Sequence, residues 1–398
     1  MTPGKEMIYL DYAATTPVDP SVAEAMQRCL SGGGSFANPA SMHIAGRASQ
    51  ALVEGSRAQI AKLLNTAPRN LVFTSGATES DNLAIAGAAH FRSHRGRHLV
   101  SMPTEHKAVT DCFAALEREG FCVTWLEPDQ RGLLPIGDLE AAIRPDTQLV
   151  SIMHVNNETG VIQDIHQIGD VCRRHGVLFH CDAAQSVGKL PIDLSALPVD
   201  LMSLTAHKFY GPKGIGALYL ADRPECRIRP LLHGGGQERR LRPGTLAVHQ
   251  IVGFGAAAAI AAERQSDDFS HAERLNARLW RGIRDVRGIT RNGDPDHAFP
   301  GILNVSIDGI DGESLVLALE PLCVATGSAC NSQSGEPSYV LRALRLTDRL
   351  AQSAIRFSFG RFTRESDIDA AVELYTAAVD HLRTIMPKAT ALTSDSDR

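Results

Sequence analysis

Gly176-Val-Leu-Phe-His-Cys-Asp182-Ala-Ala-Gln185 and Val199-Asp-Leu-Met-Ser-Leu-Thr205-Ala-His-Lys208 decide how this chain is read. Each is an apolar run that stops at polar, chemically capable residues. The runs are continuous rather than alternating, the pattern of strands buried on both faces of a parallel sheet. In such a sheet successive strands deliver their last residues to one crevice at the carboxyl edge, where ligands bind. A lone acid or lysine after a strand is often a cap or a turn residue. Together, Asp182 and Lys208 suit pyridoxal 5′-phosphate, which needs a lysine for its Schiff base and a carboxylate to keep its ring nitrogen protonated.

The same rhythm extends outward from this pair. Strand candidates are Leu71-Val-Phe, His98-Leu-Val-Ser, Cys122-Val-Thr-Trp, Leu149-Val-Ser-Ile-Met and Gly216-Ala-Leu-Tyr-Leu, with helical segments such as Asp138–Arg144 and Gln163–Arg174 between strands. That βαβ order predicts an α/β fold whose mostly parallel sheet carries helices on both faces. After an Ala-rich helix from about Val252 to Arg264 the pattern changes. A separate long helix around Ala272–Arg287 leads to strands Ile302-Leu-Asn-Val-Ser and Ala354-Ile-Arg-Phe-Ser. The expected division is a large domain over residues 18–265 and a smaller α+β domain over 1–17 and 266–387, followed by a polar tail over 388–398.

Bulk properties narrow the function. With 398 residues, 43% hydrophobic and 21% charged, the composition is that of an ordinary globular protein. A formal charge of −5 gives no reason to expect nucleic acid or a membrane surface as partner. No apolar run approaches the roughly 20 residues of a membrane span, and Met-Thr-Pro-Gly-Lys-Glu is not a signal peptide, so a cytoplasmic location is expected. The eight cysteines (Cys29, Cys112, Cys122, Cys172, Cys181, Cys226, Cys323 and Cys330) include no Cys-x-x-Cys pair, against structural zinc and a disulfide framework. Cys172, His175, His180 and Cys181 cluster in sequence, but adjacent strand residues point to opposite faces. His94 and His98, beside Arg92, Arg95 and Arg97, read as a solvated basic turn.

More chemistry collects at the predicted sheet edge. Thr74-Ser-Gly-Ala77-Thr78-Glu-Ser-Asp-Asn82 runs from strand into helix, either as a phosphate cradle of small residues and free N–H groups or as a capping motif without a ligand. Hydroxyls at Ser75, Thr78 and Ser80 are further candidate donors. His106 follows the His98–Ser101 strand, where an imidazole can stack on a planar cofactor and shuttle protons. Asn157, in Asn156-Asn-Glu-Thr-Gly160, offers an amide to a ring oxygen or carboxylate. Cys330 stands apart from the other cysteines. Thr326-Gly-Ser-Ala-Cys330-Asn-Ser-Gln-Ser-Gly-Glu336 is small and polar, the composition of a mobile, exposed loop ahead of a helix starting near Ser338.

These motifs, with Asp11-Tyr-Ala-Ala-Thr-Thr-Pro17, Asn38-Pro-Ala-Ser41, Asp182-Ala-Ala-Gln185, His207-Lys-Phe-Tyr-Gly-Pro-Lys-Gly214 and Gly327-Ser-Ala-Cys330, resemble those of the cysteine desulfurases of the NifS/IscS type with the long active-site loop. The resemblance runs from about residue 7 to 385. It implies the type I fold of PLP-dependent transferases and the following roles. Lys208 carries the cofactor, Asp182 pairs with its ring nitrogen, and Gln185 and Asn157 lie near its ring hydroxyl. Ala77 and Thr78, with Thr205, Ala206 and His207, hold its phosphate. Thr245 reaches the phosphate of the partner subunit, which implies an obligate homodimer. Arg356 clamps the substrate carboxylate, a bidentate role suited to guanidinium.

The implied reaction converts L-cysteine to L-alanine. Lys208 moves the α-proton, His106 serves as acid/base, and the Cys330 thiolate takes the sulfur as a persulfide. A mobile loop would then carry that sulfur to an acceptor such as an iron–sulfur scaffold or a sulfur carrier, for cluster assembly or tRNA thiolation. Any metal contact of Cys330 would be a transient one to iron through the persulfide.

The sequence departs from these relatives in places. Thr205 and Ala206 stand where Ser and Gly are common, Asn331 where Thr is frequent, and the polar tail replaces an apolar, aromatic extension that docks the scaffold. Three rival readings are a dedicated sulfur donor for another modification pathway, a PLP aminotransferase or lyase in which Cys330 is incidental, and a non-catalytic protein retaining the fold.

Overall fold

A computed structural model describes residues 7–326 and 336–385. Cys330, most of its loop and the polar tail lie outside the described residues. In chain order the strands are β1 (Ile8–Tyr9), β2 (Leu71–Thr74), β3 (His98–Ser101), β4 (Cys122–Trp125), β5 (Thr147–Ser151), β6 (Leu178–Asp182), β7 (Leu201–Thr205), β8 (Gly216–Leu220), β9 (Ile289–Arg291), β10 (Ile302–Ile307), β11 (Leu322–Cys323), β12 (Ala325–Thr326) and β13 (Ile355–Ser358). The helices are α1 (Pro20–Gln27), α2 (Ile44–Leu63), α3 (Ala77–Phe91), α4 (Lys107–Arg118), α5 (Ile136–Ala142), α6 (Ile165–Arg174), α7 (Val248–Ile283), α8 (Gly312–Ala318), α9 (Tyr339–Ala343), α10 (Asp348–Gln352) and α11 (Glu365–Ile385).

Seven strands form the main sheet in the order β2-β8-β7-β6-β5-β3-β4. Six run in one direction; β8 is antiparallel to both neighbours, β2 and β7. The predicted run at Gly216–Leu220 is therefore a strand of reversed direction, because only the short segment 206–215 connects it to β7 and there is no room for a crossover helix. The chain steps outward from β3 to β4 and then returns to the other side of β3 with β5, making a topological switch point at β3/β5. Residues of β2, β3, β5, β6, β7 and β8 are buried throughout, which explains why their apolar residues do not alternate with exposed polar ones. One core lies between the sheet and α2, α6 and the first part of α7, and a second lies under α3 and α4 on the opposite face.

The four-stranded sheet β12-β13-β10-β9 is antiparallel and has a core of its own with α11 and the end of α7. Leu10 belongs to that core, and β1 pairs in parallel with β11. Ile8–Leu10 therefore pack with elements from the last third of the chain.

One sequence expectation is corrected here. The Ala-rich helix and the following long helix are a single 36-residue helix, α7. The polar stretch around Arg264–Asp267 looked like a boundary, but it contains neither Pro nor Gly, and most of it faces solvent while Ile251–Ala261 and Leu275–Ile283 enter different cores. The basic turn is corrected as well. His98 is wholly buried, bonding the hydroxyls of Thr147 at 2.6 Å and Thr124 at 2.8 Å. Arg92 is buried too and donates to the carbonyl of Gly176; only His94, Arg95 and Arg97 are exposed. No described helix is long and apolar enough to cross a membrane.

Candidate active site

The carboxyl edge of the main sheet opens into a cavity of about 590 Å³. Ala77 and Thr78 reach it from the start of α3, His106 from the start of α4, Asn157 from the turn after β5, and Asp182 and Gln185 from the end of β6. Thr205, His207 and Lys208 come from the end of β7, and Arg356 from β13 of the smaller sheet. Residues far apart in sequence are neighbours here because parallel strands end at the same edge.

Local geometry prepares each group. Gly76 precedes α3 with φ 156° and ψ −178° and supplies no side-chain cap, so the first N–H groups of the helix stay open toward the cavity. Ser75 lines the cavity, but its own N–H donates to Glu79 Oε2 at 2.6 Å. Ser80 turns away and bonds Thr74 Oγ1 at 2.7 Å, so it is not among the cavity donors. Burial works to raise the Glu79 carboxyl, yet Arg242 and Ser75 hold it below its ordinary range.

His106 caps α4, its Nδ1 accepting from Ala108 N at 3.1 Å. The proton of the neutral ring therefore sits on Nε2. Burial favours that neutral form, with Lys208 adding to the effect and Asp182 opposing it. His207 is likewise pushed down, to about 4, first by burial and then by Lys208, Lys213 and Lys189. Its Nδ1 lies 3.1 Å from Thr15 Oγ1.

Asp182 is 5% exposed and its Oδ1 accepts from Ala184 N at 2.8 Å. Burial raises its pKa against the pull of His106 and Lys208, so this is a carboxyl that gains from an added cation. Behind it stand two wholly buried acids, Asp81 and Glu105, both raised chiefly by burial and further by Asp182. Lys208 Nζ donates to the carbonyl oxygens of Ala13 and Ala14, the latter at 2.9 Å. Arg356 Nη1 donates to Asn157 O at 2.7 Å and Nη2 to Asp11 Oδ1 at 2.8 Å; its buried Nε and the buried Asn157 Oδ1 have no partner among the described residues.

Two other predicted residues lie elsewhere. Ala206 is fully buried in the core, its N–H donating to Ile215 O at 3.2 Å. Thr245 is exposed and outside the cavity of its own chain. Cys330 falls among the residues not described. Of the other cysteines, Cys29, Cys112, Cys172, Cys181 and Cys226 are buried, Cys323 is intermediate, and Cys122 is exposed on the edge strand β4. His180 bonds the hydroxyls of Ser151 and Ser203, and among the described residues no group of His, Cys, Asp or Glu is placed to hold a metal. The sequence reading missed Ala13–Thr15, Met153, Val155 and Lys213, which also line the cavity. The Asp11–Pro17 motif was the available signal for the first of these.

Fold and site together define a member of the aminotransferase class-V family. That family's profile matches residues 8–371, the chain belongs to it, and its members use pyridoxal 5′-phosphate. Within it, the chain is 56% identical over 381 residues to the cysteine desulfurase IscS of Enterobacter sp. (strain 638), covering 96% of this chain and 94% of the relative. The IscS of Escherichia coli (strain K12 / DH10B) matches to the same extent. Among solved structures, a NifS-like protein superposes with a TM-score of 0.88 at 36% identity, covering 95% of this chain and all of that one. SspA in complex with cysteine superposes with a TM-score of 0.79 at 39% identity, covering 89% and 99% of the two chains.

The cavity suits this cofactor on its own chemistry. An uncapped helix start fits a phosphate, a buried carboxyl favoured by an added cation fits a protonated ring nitrogen, and an amide oxygen and a guanidinium N–H without partners among the described residues remain for polar groups brought in with it.

Proposed function

We propose that this protein is a PLP-dependent cysteine desulfurase that converts L-cysteine to L-alanine and leaves the sulfur on Cys330 as a persulfide. The observation that carries the reading is the convergence of Lys208, Asp182, His106, Asn157, Gln185 and Arg356 on one cavity. The 56% identity to IscS adds the substrate class. When bound, the cofactor supplies an electron sink for the charge left at the substrate α-carbon.

The protein's own groups do the rest. Lys208 tethers the cofactor and takes the α-proton once released. Asp182 holds the proton on the ring nitrogen, while Gln185 and Asn157 border the ring oxygen. The start of α3 at Ala77 and Thr78, with Thr205 and His207, seats the phosphate; Ala206 supports that turn from the core. Arg356 holds the substrate carboxylate. His106, neutral with its proton on Nε2, handles the proton at the substrate sulfur. The Cys330 thiolate forms an S–S bond as the substrate C–S bond breaks, and the α-proton and thiol hydrogens end on alanine and the persulfide.

The further reading is a cytoplasmic homodimer in which exposed Thr245 serves the partner subunit's phosphate site. The domain division runs at residues 17/18 and 265/266, and the smaller domain carries Cys330. Sulfur acceptors are an iron–sulfur scaffold or a sulfur carrier, which the persulfide serves for cluster assembly or tRNA thiolation, with only transient contact between Cys330 sulfur and iron.

A single turnover with L-cysteine tests the central step. Alanine release in step with one added sulfur on the Cys330 peptide, both lost in Cys330→Ala, is the expected result. Alanine without persulfide, or a fully active Cys330→Ala enzyme, would refute it and favour an aminotransferase or lyase with an incidental thiol.

A further inference from the structure

Gln185 is held at both ends by groups that leave its amide no choice of orientation. Its Nε2 donates to Ala13 O at 2.8 Å and its Oε1 accepts from Lys189 Nζ at 2.9 Å. A backbone carbonyl only accepts and an ammonium only donates. Turning the amide over would set N–H against ammonium and oxygen against oxygen. One hydrogen of Nε2 is engaged by Ala13, and the second remains on a side chain that lines the cavity.

Lys189 itself is not part of that cavity's lining. It borders a separate small pocket with Tyr12, Tyr210, Phe269 and Phe299, its ammonium 5.4 Å from the centre of the Phe299 ring. The backbone leading to it is fixed. Gly188 is left-handed at φ 76°, and a Cβ there would meet the Phe209 ring at 2.6 Å. Ala13 O also accepts from Lys208, so one carbonyl joins the amide to the lysine of the site.

We infer that Lys189 is a positioning residue. It fixes Gln185 as a hydrogen-bond donor toward the ring oxygen of the bound cofactor and, by polarising the amide from its oxygen end, makes that donor stronger. This rests on the cofactor reading above. It assigns a purpose to a cation placed close to Lys208 and Arg356, both of which, after burial, push its own pKa down toward about 7. The ammonium, and with it the polarisation of the amide, is therefore present in full only below that pH.

The test is a pH titration of the visible absorbance of the holoenzyme. The amide N–H stabilises the form of the cofactor–Lys208 linkage that has lost its proton. Replacing the ammonium in Lys189→Met therefore raises the titration midpoint by roughly half to one pH unit. Lys189→Gln, neutral and able to present either face, shifts it in the same direction and carries the test if the methionine variant does not fold. In a Gln185→Leu background the Lys189→Met change adds no further shift, because the path runs through the amide.

A midpoint in both Lys189 variants within about 0.1 unit of wild type, at full cofactor content, overturns the inference. So does a shift that persists undiminished in the Gln185→Leu background, which would make Lys189 a direct field effect. A wild-type enzyme that develops no visible band with the cofactor overturns the cofactor reading itself, a result distinct from either.

Discussion

Replacing Gly76 with alanine isolates the contribution of one backbone conformation to cofactor binding. Gly76 adopts φ 156° and ψ −178° between Thr74 of β2 and the first turn of α3, a region that L-residues rarely enter. An added Cβ meets nothing nearer than Thr205 Oγ1 at 3.9 Å, an ordinary contact, so the cost is conformational rather than steric. Such strain is worth about 1–3 kcal/mol. Relief requires movement of the peptide that opens α3. On the strand side Thr74 is held opposite Gly216 in the β2–β8 ladder, whereas the helix side is tied to it by a side-chain bond, Thr74 Oγ1 to Ser80.

The helix start therefore moves instead, taking with it the N–H groups assigned to the phosphate. At about 1.4 kcal/mol per tenfold, cofactor affinity falls about 5- to 150-fold. The assay is equilibrium titration of apoenzyme with pyridoxal 5′-phosphate, alongside a thermal melt. Gly55→Ala is the contrast, since Gly55 sits in α2 with open space around it. It is expected to gain about 0.5–1 kcal/mol of stability with no change in affinity. A Gly76→Ala enzyme with wild-type affinity and an unchanged melt would refute the reasoning.

Three further outcomes are expected. Arg57→Leu strips a buried Glu238 of its 2.7 Å ion pair, leaving Phe73 N as a donor and three left-handed residues, Glu238 to Arg240, without their anchor; a loss of about 3–5 kcal/mol in urea unfolding is predicted, and under 1 kcal/mol would sink the argument. Glu158, which accepts from Ser338, is raised by burial from 4.5 to about 7 against the pull of Ser338 and Arg356. The folded state thus retains a proton that the unfolded chain releases. Its contribution, at most about 3 kcal/mol, is complete below pH about 4.5 and is lost as pH rises through about 7. Glu158→Gln flattens stability across that window, and an unchanged slope would reject the assignment. Lys208→Ala abolishes borohydride fixation of the cofactor to the protein, and label retained on the chain after reduction would place the attachment elsewhere.

The order of strands and helices could be read from the sequence because burial on both faces writes itself as mostly apolar, non-alternating runs such as Leu178–Cys181 and Leu201–Leu204, whose one polar residue each, His180 and Ser203, bond one another. The polar residues that end those runs were legible for the same reason. A parallel sheet sends every strand's end to one edge, so Asp182, His106, Asn157 and Lys208 were placed together without coordinates. Periodicity carries no such information about strand direction or helix continuity. The reversed β8 and the unbroken α7 depend respectively on a short connection and on two cores sharing one helix.

By itself, then, the sequence determined the sheet, its chemically armed edge and the family motifs, all of which rest on local burial and on residues close in the chain. Tertiary structure decided which partners those residues meet. Ala13 lies 195 positions from Lys208, Asp11 lies 345 from Arg356, and Glu238 lies 181 from Arg57. Contacts of that span arise only when separate cores pack and close their loops, and no window of sequence contains them.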